Sequence, residues 1–243
     1  MKRIVWMGCL AGLGLSAPAL AAEPLRITEV GNDMLANMRG KYVAPGQIVS
    51  FGLEMVTSWQ TQAGDTQSAA VKFAASQGNG FLPTITVYQS GNKGGAAAAA
   101  GTGTVVQTDL STVKGVSQGI QIAGDGNRVG NGIGVEVGPA GTTAPGLTAG
   151  MTQVGTLSAS GTTTLQAGNV LAALQSGRLS LSMAVAGQGT AQQGIGNGNL
   201  SQQTAVISSH NQVTNLARLT VNIDAASLRS STVPLVNLMR GIQ

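Results

Sequence analysis

Cysteine is almost missing from this chain: the single one, Cys9, lies in the apolar N-terminal stretch. Any fold built from the rest must hold without disulfides, and cysteine-based zinc sites are excluded. Charge is scarce too, with Lys, Arg, Asp and Glu at 9% of residues, where about 25% is usual in a soluble domain. The net charge of +4 is small and scattered, so no basic face exists for nucleic acid or an anionic membrane. Aromatic residues are 3% of the chain, too few for a large conventional core. Histidine occurs once, and no apolar run reaches the ~20 residues of a membrane-spanning helix.

What is abundant is small and polar. Glycine reaches 36 of 243 residues, about twice the usual share, alongside many Ala, Ser, Thr, Asn and Gln. Such a chain relies on backbone pairing and close approach rather than bulky side chains. The first residues have a different character. Lys2 and Arg3 precede an apolar stretch over 4–15, and Ala19-Leu20-Ala21 supplies a small-residue cleavage site, the three parts of a secretory signal. The expectation is a signal peptide at 1–21 and a single secreted β-rich domain at 22–243. Lipidation at Cys9 fits poorly, because too short an apolar run precedes it. With Lys2 and Arg3 removed, eleven basic residues face nine acidic ones, and no membrane anchor is expected.

Along the remaining chain, Val30, Met34, Leu35 and Met38 have helical spacing and Gly40 stands where a helix would stop. One short N-terminal helix over 27–39 is therefore expected. From Gln47 the period changes to two, with Val49, Phe51, Leu53, Met55, Thr57 and Trp59 on one parity and polar residues on the other. A turn at 63–65 and a return strand through Ala69, Val71, Phe73 and Ala75 complete a hairpin, and 82–88 reads as a third strand. This is a hairpin region over 45–90. Residues 91–103 and 138–150 read as loose loops. Further short strands are expected over 116–122, 129–137, 179–185, 205–207 and 216–223. The fold class is all-β: hairpins and a β-solenoid-like or sandwich domain with Gly/Asn-rich turns.

Within a repeat region over 104–224, two segments align. Ser117 and Gln118 match Ser201 and Gln202; Asn127, Val129 and Asn131 match Asn211, Val213 and Asn215. The shared frame is Ser-Gln, eight residues, then Asn-x-Val-x-Asn. A strand would put both asparagines and the valine on one face, and a turn ending at Gly126 or His210 would let the first asparagine take a left-handed conformation. Stacked copies could form ladders of side-chain amides. Alternatively, Asn and Gly simply mark hairpin turns in an ordinary sheet.

The run Gly119-Ile120-Gln121-Ile122-Ala123-Gly124-Asp125-Gly126-Asn127-Arg128-Val129-Gly130-Asn131 resembles the repeat signature of the Fap functional-amyloid subunits. Met38-Arg39-Gly40-Lys41-Tyr42-Val43-Ala44-Pro45-Gly46-Gln47-Ile48-Val49-Ser50-Phe51-Gly52 resembles the opening of the accessory secreted proteins of that system, the FapE-like group. The resemblance implies a bacterial protein that passes through the periplasm and ends outside the cell or on its surface. Its implied partners are amyloid fibre subunits and an outer-membrane secretion pore. The repeats here are two and degenerate, and the family's Cys-x-Cys near the C-terminus is missing, so an accessory role fits better than that of the bulk subunit.

Catalytic and metal chemistry find little to work with. His210 stands beside Ser208 and Ser209, but no Gly-x-Ser-x-Gly elbow accompanies it. It occupies the position of Gly126 in the other copy, which reads as a turn. Asp109, Asp125, Glu136 and Asp224 are isolated, a poor start for calcium. No catalytic residue, metal site or cofactor is expected. The leading functional reading is a non-enzymatic secreted protein that binds functional amyloid fibres or biofilm matrix by β pairing, with the ten repeat residues as fibre contacts. The alternative is a periplasmic or cell-surface adhesin-type module for glycan, which would need Trp59 and Tyr88 exposed on one face.

Overall fold

The computed structural model describes residues 48–92, 99–106, 110, 112–141 and 146–224. The signal segment at 1–21 and the helix expected over 27–39 lie outside them. The described residues form twelve strands: β1 Ile48–Gln60, β2 Thr66–Ser76, β3 Thr84–Asn92, β4 Gly115–Ile122, β5 Arg128–Pro139, β6 Thr152–Leu157, β7 Thr163–Ala167, β8 Val170–Gln175, β9 Arg178–Val185, β10 Gly189–Gly196, β11 Asn199–Val206 and β12 Gln212–Ile223. One 3-10 turn, Gln77–Asn79, follows β2.

Two six-stranded sheets result, in the orders β5-β12-β1-β2-β3-β6 and β4-β11-β10-β9-β8-β7. Their inner faces share one core. Leu53, Met55, Trp59, Val71, Ile85 and Val87 come from the first sheet, and Val170, Leu181, Met183, Ala191 and Val206 from the second. The period-two pattern of β1 is what makes this possible, because it turns Leu53, Met55, Thr57 and Trp59 inward together. Of the two architectures open to the sequence, the sandwich is realised, and neither sheet closes into a barrel.

Nearly every neighbouring pair is antiparallel, and most of these are consecutive strands joined by short connections, β12 on β1 and β3 on β6 being antiparallel pairs of strands far apart in the chain. The β1–β2 turn shows how: Thr61 N donates to Asp65 O at 2.9 Å, and Gly64 takes a φ of 84° that other residues resist. The exceptions are β4 on β11 and β5 on β12, which run parallel.

Two loop expectations need correction. Residues 99–103 are not loose: Gly101 N donates to Gly187 O at 2.7 Å and Gly103 N to Ile207 O at 3.1 Å. A Cβ on Gly101 would lie 1.9 Å from Ile207 O, so glycine here permits a backbone-to-backbone contact. In the other loop, Leu147 N donates to the Glu54 carboxylate at 3.0 Å. Glu54 also receives Arg218 Nη2 at 2.6 Å and has Lys72 Nζ at 3.7 Å, so a buried acid pins this loop onto the outer face of β1. Strands β6, β7, β8 and β10 were not expected, since they are short, and in β10 glutamines occupy positions that hydrophobic residues would mark.

Candidate functional site

The two repeat copies fold as the same unit. In each, a strand in one sheet turns through five residues into a strand in the other, β4 into β5 and β11 into β12. The copies lie directly on each other. Ser117 pairs with Ser201 and Gln118 with Gln202, and in the facing sheet Val129 pairs with Val213 and Asn131 with Asn215. Every residue of the shared frame thus meets its own counterpart 84 positions later. Parallel, in-register pairing places like beside like, which suits a side-chain amide because it is donor and acceptor at once.

The turns are joined as tightly as the strands. Asn127 Oδ1 accepts from Asn211 N at 2.8 Å and from Asn211 Nδ2 at 3.2 Å. Asn127 Nδ2 donates to Ser208 O at 2.7 Å and Gly124 O at 3.2 Å. His210 N donates to Asp125 O at 2.8 Å, and Arg128 N to Asn211 O at 2.8 Å. The left-handed residue is Gly126, with φ 66°, in one copy and His210, with φ 58°, in the other. The expectation that the first asparagine takes that conformation is therefore corrected by one residue. The physical reason is that Asn127 and Asn211 lead directly into the strand and use their amides between turns, while the preceding residue makes the bend.

Deeper in, the amides become a buried network. Gln118 Nε2 donates to Gln202 Oε1 at 2.7 Å, and Gln202 Nε2 to Gln193 Oε1 and to Gly132 O, both at 3.0 Å. Gln193 Nε2 then reaches Val56 O on the opposite sheet at 2.7 Å. Asn215 Nδ2 donates to Asn131 Oδ1 at 2.9 Å and to Thr204 Oγ1 at 2.6 Å, while its Oδ1 accepts from Thr57 Oγ1 at 2.8 Å. Val213 is buried between the two asparagines of its frame and Val129 packs against the same core. The serines point the other way: Ser201 Oγ meets Arg178 Nη2 at 2.5 Å and Ser117 Oγ lies 3.5 Å from Asn199 Nδ2. They are in register without joining the amide rows.

Several members of this network were not among the sequence candidates. Thr57, Thr204, Gln193 and Trp59 complete it, and for Thr57 and Trp59 the inward parity of β1 was the available signal. Trp59 is 2% exposed, and its indole Nε1 donates to Asn211 Oδ1 at 2.9 Å. Neither face of it is open to stack a sugar, and Tyr88 is partly buried. His210 has its ring beside Gly126, where an added Cβ would come within 2.6 Å of it. Among the described residues, no three His, Cys, Asp or Glu side chains group as metal ligands.

Comparison with known proteins gives consistent relatives. The chain is 34% identical over 234 residues to a Pseudomonas fluorescens protein named functional amyloid subunit FapE, spanning 94% of this chain and 92% of that one. It is 37% identical over 211 residues to the Pseudomonas aeruginosa protein of the same name, spanning 86% and 82%. No family model and no solved structure matches it.

Proposed function

The chain belongs to the FapE family, and from that premise we propose that it is a non-enzymatic, secreted component of a functional amyloid that associates with the fibres by β pairing. Its route runs through the periplasm to the cell exterior or surface, with fibre subunits and an outer-membrane secretion pore as partners. One observation supports the binding mode above others: the repeat units already pair with each other in parallel and in register, with Gln118 on Gln202 and Asn131 on Asn215. A fold that stacks its own repeats this way has the geometry that fibre layers use. Low charge helps, because adjacent layers of such a stack bring identical residues together and charged ones would repel.

The test is direct. Matrix fibres from the producing bacterium, washed in high salt and probed for this chain, should retain it, since backbone pairing and apolar contact resist salt where surface charge pairs do not. Fibres that lose the protein entirely in such a wash, with all of it recovered free in the medium, would refute the reading.

A further inference from the structure

The two repeat units differ in one respect. The second is covered on both sides, β11 lying between β4 and β10 and β12 between β5 and β1. Among the described residues the first is covered on one side only, because β4 and β5 each end their sheet at the same end of the sandwich. An end strand presents unpaired N–H and C=O groups, and proteins ordinarily guard it with charge, proline or brevity. Here β4 has neither charge nor proline along its eight residues. The twelve residues of β5 have only Arg128 at the start, Glu136, which faces Arg218 at 3.6 Å, and Pro139 at the last position. The opposite end strands are short, with six residues in β6 and five in β7.

The side chains along this edge are those of an interrupted interior. Val116 and Val137 are each 63% exposed and Val135 64%, yet they continue the rows of Leu200, Val221 and Leu219, their register partners on the covered unit. The amide row stops one bond short in the same place. Asn215 uses its Nδ2 to donate to Asn131 and Thr204, whereas the Nδ2 of Asn131 is buried with no hydrogen-bond partner. A buried amide donor left unmade costs about 1–3 kcal/mol, and an acceptor on one further layer would relieve it.

Building on the fibre-association reading, we infer that the β4–β5 edge seats a third strand–turn–strand unit, contributed by a fibre subunit, parallel and in register, with amide side chains opposite Gln118 and Asn131. The orientation follows from the internal example, since β11–β12 shows how such a unit lies on β4–β5. The chemistry of the occupant follows from the rows: a glutamine extends the Gln118–Gln202 row, an asparagine accepts from Asn131, and β-branched residues cover Val135 and Val137. A second copy of this chain does not fit. Its β11–β12 unit is already enclosed, and two β4–β5 edges related by a twofold axis would run antiparallel and break both rows. The described residues present one such edge, so the chain occupies one end of a subunit stack.

The edge is tested with Val135→Lys/Val137→Lys, two mostly exposed positions whose change leaves the interior intact, against Val154→Lys on β6 as a control. All three proteins should melt alike. Binding to washed matrix fibres should fall at least tenfold for the double variant and stay at the wild-type level for the control. A folded double variant that binds fibres as wild type does would overturn the edge assignment while leaving fibre association standing. A wild type that fails to bind would sink both. A dimer in solution that the two lysines dissociate would give the edge to a second copy and overturn the assignment to a subunit.

Register is read separately, using Val137→Cys in a Cys9→Ser background and synthetic peptides of residues 199–223 with either Val221→Cys or Val213→Cys. Parallel in-register addition sets matched Cα atoms about 4.8 Å apart, within disulfide reach. Oxidation should couple the Val221→Cys peptide, and preferential coupling of the Val213→Cys peptide would overturn the register.

Discussion

Asn215 donates its side-chain amide to Asn131 at 2.9 Å across a parallel strand pair, and each is the other's counterpart in a repeat of 84 residues. Asn215 is fully buried and also holds Thr57 and Thr204, so three polar groups depend on one side chain. The Asn131 side chain bonds Asn215 alone among the described residues. This unequal sharing lets the two ends of a single hydrogen bond be told apart by mutation.

Asn215→Ala should destabilise the domain by roughly 2–4 kcal/mol, because each buried group left without its partner costs about 1–3 kcal/mol. Asn131→Ala should cost less than about 1.5 kcal/mol by the same reasoning, since it strands one donor that retains Thr204 as a second acceptor. Urea unfolding followed by Trp59 fluorescence measures both. Equal losses would mean that the network is not apportioned as the bonds suggest.

Trp59→Phe keeps most of the apolar volume but removes the donor to Asn211 Oδ1. A loss of about 1–3 kcal/mol is expected, and Asn211→Ala on top of it should cost less than it does in wild type. A double-mutant cycle with no coupling between the two positions would show that this bond contributes nothing.

Gly126→Ala should weaken the fold by at least about 1–2 kcal/mol, the cost of forcing a left-handed backbone on a residue with a Cβ, with added strain from the His210 ring 2.6 Å away. His210→Gly should be neutral or stabilising and should recover part of the Gly126→Ala loss. Thermal melts of the two single variants and the double variant decide it. A double variant that sums the single effects would remove the steric part of the explanation.

The acid on the outer face gives a comparison between two carboxylates that share Arg218. Glu54 is nearly buried and also anchors Leu147, so Glu54→Ala should cost about 3 kcal/mol as a buried pair loses one partner. It should also expose residues 146–150 to protease. Glu136 is more exposed and 3.6 Å from Arg218, so Glu136→Ala should stay within about 1 kcal/mol. The reverse ranking would show that Glu136 is the main partner.

For processing, protein recovered from the medium of the producing cell should begin at Ala22 or within two residues of it. Terminal sequencing that finds Met1 on exported protein, or mass spectrometry that finds lipid at Cys9, would contradict this.

Much of this molecule was legible one residue at a time. The alternation from Val49 to Trp59 specified a strand and its inward face, because side chains on an extended backbone alternate whatever lies next to them. The frame Ser-Gln, then Asn-x-Val-x-Asn, identified two equivalent units, and their likeness to each other is a property of the sequence alone. Strand β10 escaped, since Gln193 and its neighbours have no apolar period and become strand by lying between β9 and β11, and β6, β7 and β8 escaped because five or six residues are too few to show a period. The loop at 99–103 escaped for a related reason: a glycine-rich segment reads as slack until another backbone, here at Ile207, comes close enough to need the missing Cβ.

By itself, then, the sequence determined that the chain is β-structured, that it holds two matching amide-bearing units, and which of their residues share a face. Only the tertiary structure decided that those units lie on each other in register, that Trp59 closes on Asn211, and that the first unit rather than the second is left at the edge. The physical reason is range. Periodicity and turn chemistry are local properties of the backbone, whereas stacking residues 84 apart depends on how β1 to β3 and β6 to β10 fill the remaining places in the two sheets. The same frame in each copy is compatible with either order, and the strands around it chose one.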